Sequence, residues 1–264
     1  MLAFLFSHLG ILANGAIFTL GFVAIAVVLA MVVHRFVPLA YFEDHYEQAG
    51  FIFAVIGVVY AVLLAFVAIG VWERFDGAES QTYSEANSIV ALYRDARAVP
   101  EKAQIRAAIR DYTTLVVEDE WPRMVEGSHS DKADAAIERI ARVVDLLQPK
   151  TLGQQDVHTA MLASLGQTLS DRAARISMGA TGLNPIVWVV LAFGAIVAVG
   201  FSFLFPFKRK RMQAIMVGSL AFSIAIVFYL TTAIDYPFHG DITVQPHAFE
   251  NALHTYDSID RAHE

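Results

Sequence analysis

Four stretches of this chain, Ile11–Val33, Gly50–Trp72, Pro185–Phe207 and Met212–Ile234, run 23 residues each without one charged side chain. A bilayer's hydrocarbon core is about 30 Å thick, and roughly 20 apolar residues of helix cross it. Helices satisfy their own backbone polar groups in lipid, so each stretch is expected to span. The stretches form two close pairs, separated by 112 more polar residues from Glu73 to Asn184. The expected fold is an all-α membrane protein: four transmembrane helices in two hairpins with an inserted soluble α-helical bundle. Its parts are a first hairpin at 1–72, a soluble helical domain at 73–184, a second hairpin at 185–234 and a tail with a short helix at 235–264.

Composition agrees with a membrane chain: 56% of residues are hydrophobic, 17% are charged and the mean hydropathy is +0.50. Cysteine is absent, which removes disulfides and thiolate metal sites. The first apolar run exceeds a signal-peptide core in length, so it is expected to be retained. The link between the last two spans is Lys208-Arg209-Lys210-Arg211, whereas Met1–Gly10 carries no Lys or Arg and the tail carries only Arg261 of these two types against six acids. Short basic loops stay on the cytoplasmic side. With four spans, this places Lys208–Arg211 and the His34–Ala49 loop inside, and the termini and Glu73–Asn184 outside. An extracytoplasmic bundle on a bacterial inner-membrane protein follows.

The second span is expected to continue past the lipid. Gly50, Ala54, Gly57, Ala61, Ala65 and Ala68 recur at steps of three or four, and Val71, Phe75, Ala78, Thr82, Ala86, Ile89, Tyr93 and Ala96 prolong the same face. No proline interrupts before Pro100, so one helix is predicted to run to about Val99. In lipid, small residues on that face allow close helix approach. Three amphipathic segments complete the domain. Ile105, Ile109, Tyr112, Leu115 and Val116 mark one; Ala133, Ile137, Ile140, Val144 and Leu147 mark the next, after a break at Trp121-Pro122 and a turn at Gly127–Asp131. Val157, Met161, Leu165, Leu169 and Ile176 mark the third. A last short helix is predicted from about Pro246 to Ile259.

Little in the sequence recommends catalysis. The spans hold no ionisable group at depth, which argues against proton relays and intramembrane proteolysis. There is no phosphate-cradling glycine loop, no His-Glu-x-x-His and no nucleophile elbow. The inserted domain mixes 13 basic with 17 acidic residues, so no basic face recommends nucleic acid. No enzyme activity and no cofactor are expected. Glu73 and Asp76 stand where the second span leaves the apolar slab. They either anchor the helix beside Trp72 and Arg74 or, in a symmetric assembly, repeat as carboxylate rings that select ions by sign. His247, Glu250, His254 and Asp257 share one face of the tail helix, a spacing that suits a divalent metal or a solvated face.

Several runs together resemble the signature of a bacterial family of unestablished function known as bestrophin-like. They are Trp72-Glu73-Arg74-Phe75-Asp76, Glu85-Ala86-Asn87, Leu92-Tyr93-Arg94, Glu120-Trp121-Pro122, Gly200-Phe201-Ser202-Phe203-Leu204-Phe205 and Asp235-Tyr236-Pro237-Phe238-His239-Gly240. The resemblance implies kinship with bestrophins, oligomeric ion channels whose second membrane helix lines an apolar neck. It would set the Gly50–Trp72 helix around a central pore. The expected function is therefore an oligomeric membrane ion channel leaning towards cations, with lipid, further copies of itself and inorganic ions as partners. The pore-lining or mouth residues would be Gly50, Ala54, Gly57, Ala61, Ala65, Ala68, Glu73 and Asp76. The alternative is a non-conducting, membrane-anchored sensor or scaffold whose helical domain binds a ligand or partner.

Overall fold

A computed structural model describes residues 10–36, 46–205, 209–240 and 242–262. Lys208, Asp241 and most of the first loop, all used in the charge argument above, lie outside the described residues. The helices are α1 (Ile11–Phe36), α2 (Tyr46–Asp95), α3 (Lys102–Leu115), α4 (Trp121–Val125), α5 (Asp131–Asp145), α6 (Leu152–Ala180), α7 (Pro185–Ser202), α8 (Lys210–Ile234) and α9 (His247–Arg261). No strand occurs among the described residues. Contacts divide the chain into two compact units: Met1–Glu73 with Leu183–Asp235, and Arg74–Gly182 with Tyr236–Glu264.

In the first unit, α1, α7, α8 and the start of α2 are long and apolar enough to cross a membrane. Residues adjacent in sequence are not the closest partners here. Helices α1 and α8, the first and last spans, pack most extensively. The cause is local. Tyr229 lies over Gly15, where a Cβ would stand 2.7 Å from the ring, and its hydroxyl donates to the Ile11 carbonyl at 2.9 Å. Helix α7 meets α2 the same way. Gly194 leaves room for the Tyr60 ring, which an added Cβ would approach to 2.5 Å, and Tyr60 donates its hydroxyl to the Leu191 carbonyl. These glycines let large rings lie on a neighbouring backbone, a close approach that only a missing side chain permits.

Helix α2 is one unbroken 50-residue helix followed by a 3-10 turn at Ala96–Ala98. In the second unit its inner face is Ala78, Thr82, Ala86, Ile89, Tyr93 and Ala96, each at most 3% exposed, so the predicted seam is buried there. Ile105, Ile109 and Tyr112 of α3 and Ala133, Ile137, Ile140 and Val144 of α5 fill the same core. The tail is part of this unit, because Phe238, Phe249 and Tyr256 are fully buried in that core.

Two expectations need correction. The break predicted at Trp121-Pro122 is instead a π-helical turn, Val116–Glu120, between α3 and α4. There the Trp121 N–H reaches five residues back to the Val116 carbonyl. Pro122 has no N–H to give, and the looser turn carries the helix through it. The second concerns α6. Its inner face keeps the predicted Met161 and Leu165 but continues as Thr168, Arg172, Arg175 and Gly179, while Leu169 is exposed and Ile176 half-buried. Polar residues hold positions where an apolar stripe was expected.

Candidate functional site: the second helix and a buried charge cluster

The seam residues of α2 within the first unit have a different fate from those in the second. Ala54, Ala61 and Ala65 are exposed, and Gly50, Gly57 and Ala68 are half-buried. The buried side is instead Tyr60, Leu64 and Val71. A Cβ added at Gly50 or Gly57 would meet nothing within 4 Å. This is the least covered span of the four, with 11% of its most apolar window buried against 33% for α8. Glu73 and Asp76 are exposed. At 3.6 residues per turn, Glu73 stands about 120° round the helix from Ala61 and only about 20° from Phe66. The carboxylate therefore stands about a third of the way round the helix from the small-residue edge, on the side of the exposed Phe66. Arg74, between them in sequence, donates to the Thr181 carbonyl.

Beyond Arg74, helix α2 is fixed by charges that the sequence left looking like surface. Arg175 of α6 is fully buried and donates to Glu85 of α2 at 2.7 and 3.1 Å and to Glu120 of the π turn at 2.6 Å. Tyr112 adds its hydroxyl to Glu85 at 2.5 Å. Arg172 binds Glu120 and reaches Asp134 of α5 at 2.5 Å. Burial alone would pull the Arg175 guanidinium down, but Glu85 and Glu120 outweigh it and hold the group above its ordinary range. Burial first, then the Glu85 charge, pushes the Tyr112 phenol well up. The Arg175 guanidinium also lies 5.3 Å from the Trp121 ring centroid and 5.5 Å from that of Phe249. Trp121 donates its indole N–H to the Val244 carbonyl and packs edge-on against Phe238.

Three of the separated signature runs thus converge: Glu85, Glu120-Trp121 and Phe238 all close on or beside Arg175. In this chain of charges between α2, the π turn and α6, both buried carboxylates are paired with arginine, while Arg172 Nε has no hydrogen-bond partner. The chemistry of the chain is that of a clamp on the long helix. Asp171 reinforces it, since Ser84 and Gln81 of α2 donate to this buried carboxylate at 2.7 and 2.5 Å. The clamp was missed because arginine and glutamate at core positions read as solvated. The signal was there in the spacing, for Met161, Leu165, Thr168, Arg172, Arg175 and Gly179 keep one helical face.

The tail quartet is placed plainly. His247 Nδ1 lies 2.8 Å from Glu250 Oε2, and Asp257 is ion-paired with Arg110 at 2.8 Å. Asp260, three residues on in the same helix, is bound by Arg106 and Arg110 and by the Tyr93 hydroxyl at 2.6 Å. Among the described residues, the acids and histidines whose ligand atoms all lie within 4.8 Å of one another are His129, Asp131 and Asp134, not the tail set. Asp134 is engaged by Arg172 there.

Apolar spans on a helical frame define an integral membrane protein, and the comparisons say which kind. A sequence model of the Bestrophin-like domain matches residues 20–249, so the chain belongs to the bestrophin-like family. Solved structures share the fold. A variant of a bacterial Bestrophin homolog from Klebsiella pneumoniae superposes with a TM-score of 0.67 at 12% identity, over 92% of this chain and 98% of that one. The homolog solved by zinc phasing gives 0.65 at 13% identity, over 91% and 97%. A structure described only as a membrane protein variant gives 0.67 at 13%, over 92% and 97%. No curated protein matches the chain.

Proposed function

We propose that copies of this chain assemble around α2 and conduct inorganic ions across the bacterial inner membrane. The Gly50–Ala68 edge lines the conduit with Ala54, Gly57, Ala61 and Ala65, and the end of the span brings Glu73 and Asp76 to the level of its mouth. The observation that carries the proposal is the openness of this span. An edge of glycine and alanine left uncovered within one chain is suited to close contact with further helices. Family membership supports the same conclusion.

Cations are favoured on charge. The helical domain carries four more acids than bases and the tail five more. With the basic loop inside, these acidic parts lie outside and concentrate cations at the entrance. Planar-bilayer recording of purified protein is the test. Unitary currents with a cation-selective reversal potential are expected, and silence across ions, pH and calcium would overturn conduction. A filled monomer in projection images together with that silence would favour the non-conducting sensor.

A further inference from the structure

One end of the first unit combines an apolar groove, a basic cluster and an unanswered buried amide. The groove has two connected parts. One, about 250 Å³, is bounded by Gly50, Phe53, Phe205, Met216 and Leu220; the other, about 270 Å³, by Phe53, Ala61, Ala65, Leu220, Ile224 and Val227. Phe53 and Leu220 wall both. On α8 the groove-facing residues Val217, Leu220, Ile224 and Val227 continue towards the helix start as Gln213 and Arg209, at steps of three or four. Such spacing keeps one helical face.

That face ends in charge. Arg209, Lys210 and Arg211 are all exposed where α8 begins, and α8 adds the positive end of its dipole. Gln213 is 5% exposed, and its Nε2 has no hydrogen-bond partner. The His34 Nε2 is likewise buried without one. Val27 of α1 lies against Gly218 of α8, and seven residues further on α1 and back on α8 bring His34 and Arg211 to the same end. A buried amide donor left unmade costs free energy that a bound acceptor would recover.

From this we infer a binding site for an anionic phospholipid, with its phosphate on Arg209, Lys210, Arg211 and the Gln213 amide and one acyl chain in the groove. Length agrees with a single tail. Val217 to Val227 spans about 15 Å of helix, half of a roughly 30 Å hydrocarbon core. Charge complementarity selects the occupant, because an apolar helix from a second copy would fill the groove yet leave the basic triplet and the amide unanswered. Basic sites between membrane helices on the cytoplasmic side recognise such headgroups.

The test uses the full chain in detergent micelles doped with phosphatidylglycerol or phosphatidylcholine, with retained lipid read by mass spectrometry and melting followed in parallel. Phosphatidylglycerol is expected to be retained preferentially, about one per chain. Neutralising each of Arg209, Lys210 and Arg211 to Gln should reduce that preference about fivefold per charge. Gln213→Leu should lower phosphatidylglycerol retention while leaving the lipid-free melting temperature unchanged or higher, which a merely structural amide would not do. Leu220→Trp should block the tail and lower retention of both lipids. Equal retention of the two lipids by the unmodified chain would overturn the assignment. So would insensitivity to Gln213→Leu and Leu220→Trp, or displacement by soluble glycerol phosphate at equal concentration. Gly50, Gly57, Ala61 and Ala65 border this groove as well as the edge given above to the conduit, so an acyl chain and a pore compete for them. Silent electrical recordings would leave the lipid site standing. Unitary currents abolished by bulky residues at Gly57 or Ala61, with lipid retention unchanged, would overturn it.

Discussion

Arg175 holds two buried carboxylates, and removing it would leave Glu120 to Arg172 and strand Glu85 with only the Tyr112 hydroxyl. Breaking a buried ion pair by deleting one partner typically costs about 3–5 kcal/mol, because the charge left behind has lost both water and counter-ion. Arg175→Ala is therefore expected to destabilise the second unit by about that amount, seen as a lowered melting temperature in detergent. Replacing Glu85 by Leu and Tyr112 by Phe together with Arg175→Met should recover much of the loss, since Glu120 keeps Arg172 as its counter-ion and the apolar groups need none. If the single and triple variants melt alike, the cluster is not the clamp described here. Asp119 provides the pH-dependent counterpart. The Ser130 hydroxyl, then Arg123 and Lys132, lower its carboxyl from 3.8 to about 2. A carboxylate with a depressed folded pKa contributes stability that is present above its unfolded value and disappears as pH falls through the folded one. The gap in melting temperature between the native chain and Asp119→Asn should accordingly be full above about pH 4 and close towards about pH 2. A gap constant over that window would mean that Asp119 acts only through packing.

At the scale of the helix, glycines separate into two kinds that look alike in sequence. Gly194 is crowded by Tyr60, so Gly194→Ala must push the ring aside at a cost of about 1–3 kcal/mol. Gly57 has open space around its Cβ position, so Gly57→Leu should leave the single chain's melting temperature nearly unchanged. If that edge meets neighbouring copies, the same change should dissociate the assembly, measured as particle mass by light scattering, while Gly194→Ala leaves the mass alone. An unaltered mass for Gly57→Leu would take Gly57 out of the interface. The difference explains how far the sequence could be read. The length and continuity of α2 were legible because apolar steps of three and four ran from Gly50 to Ala96 without proline. The seam's outer half was legible for the same reason and proved buried. Which small residues receive a ring was not legible, since that depends on where Tyr60 and Tyr229 land from distant segments. The α6 face was misread at Leu169 and Ile176 because hydropathy ranks Arg172 and Arg175 as surface, and only their partners on other helices make burial tolerable.

For the whole molecule the decisive quantity is the charge that an ion meets at the end of α2. Glu73 is exposed in the single chain and, on a symmetric assembly around this helix, would repeat once per copy at one level. A ring of carboxylates at a pore mouth attracts cations and repels anions, and the effect fades as salt shortens the Debye length from about 10 Å at 0.1 M to about 3 Å at 1 M. Glu73→Gln should thus move the reversal potential under a salt gradient towards the anion side. The shift should be large in dilute solution and small near 1 M. Fold is not at risk in this variant, because Glu73 is exposed and an amide of the same shape replaces the carboxylate. Asp76→Gln, one turn further along the helix, should produce a smaller shift of the same sign if both stand at the mouth. A reversal potential unchanged by Glu73→Gln at low salt would remove the ring, leaving the Gly50–Ala68 edge as helix packing and the acidic outer domain as the source of any selectivity.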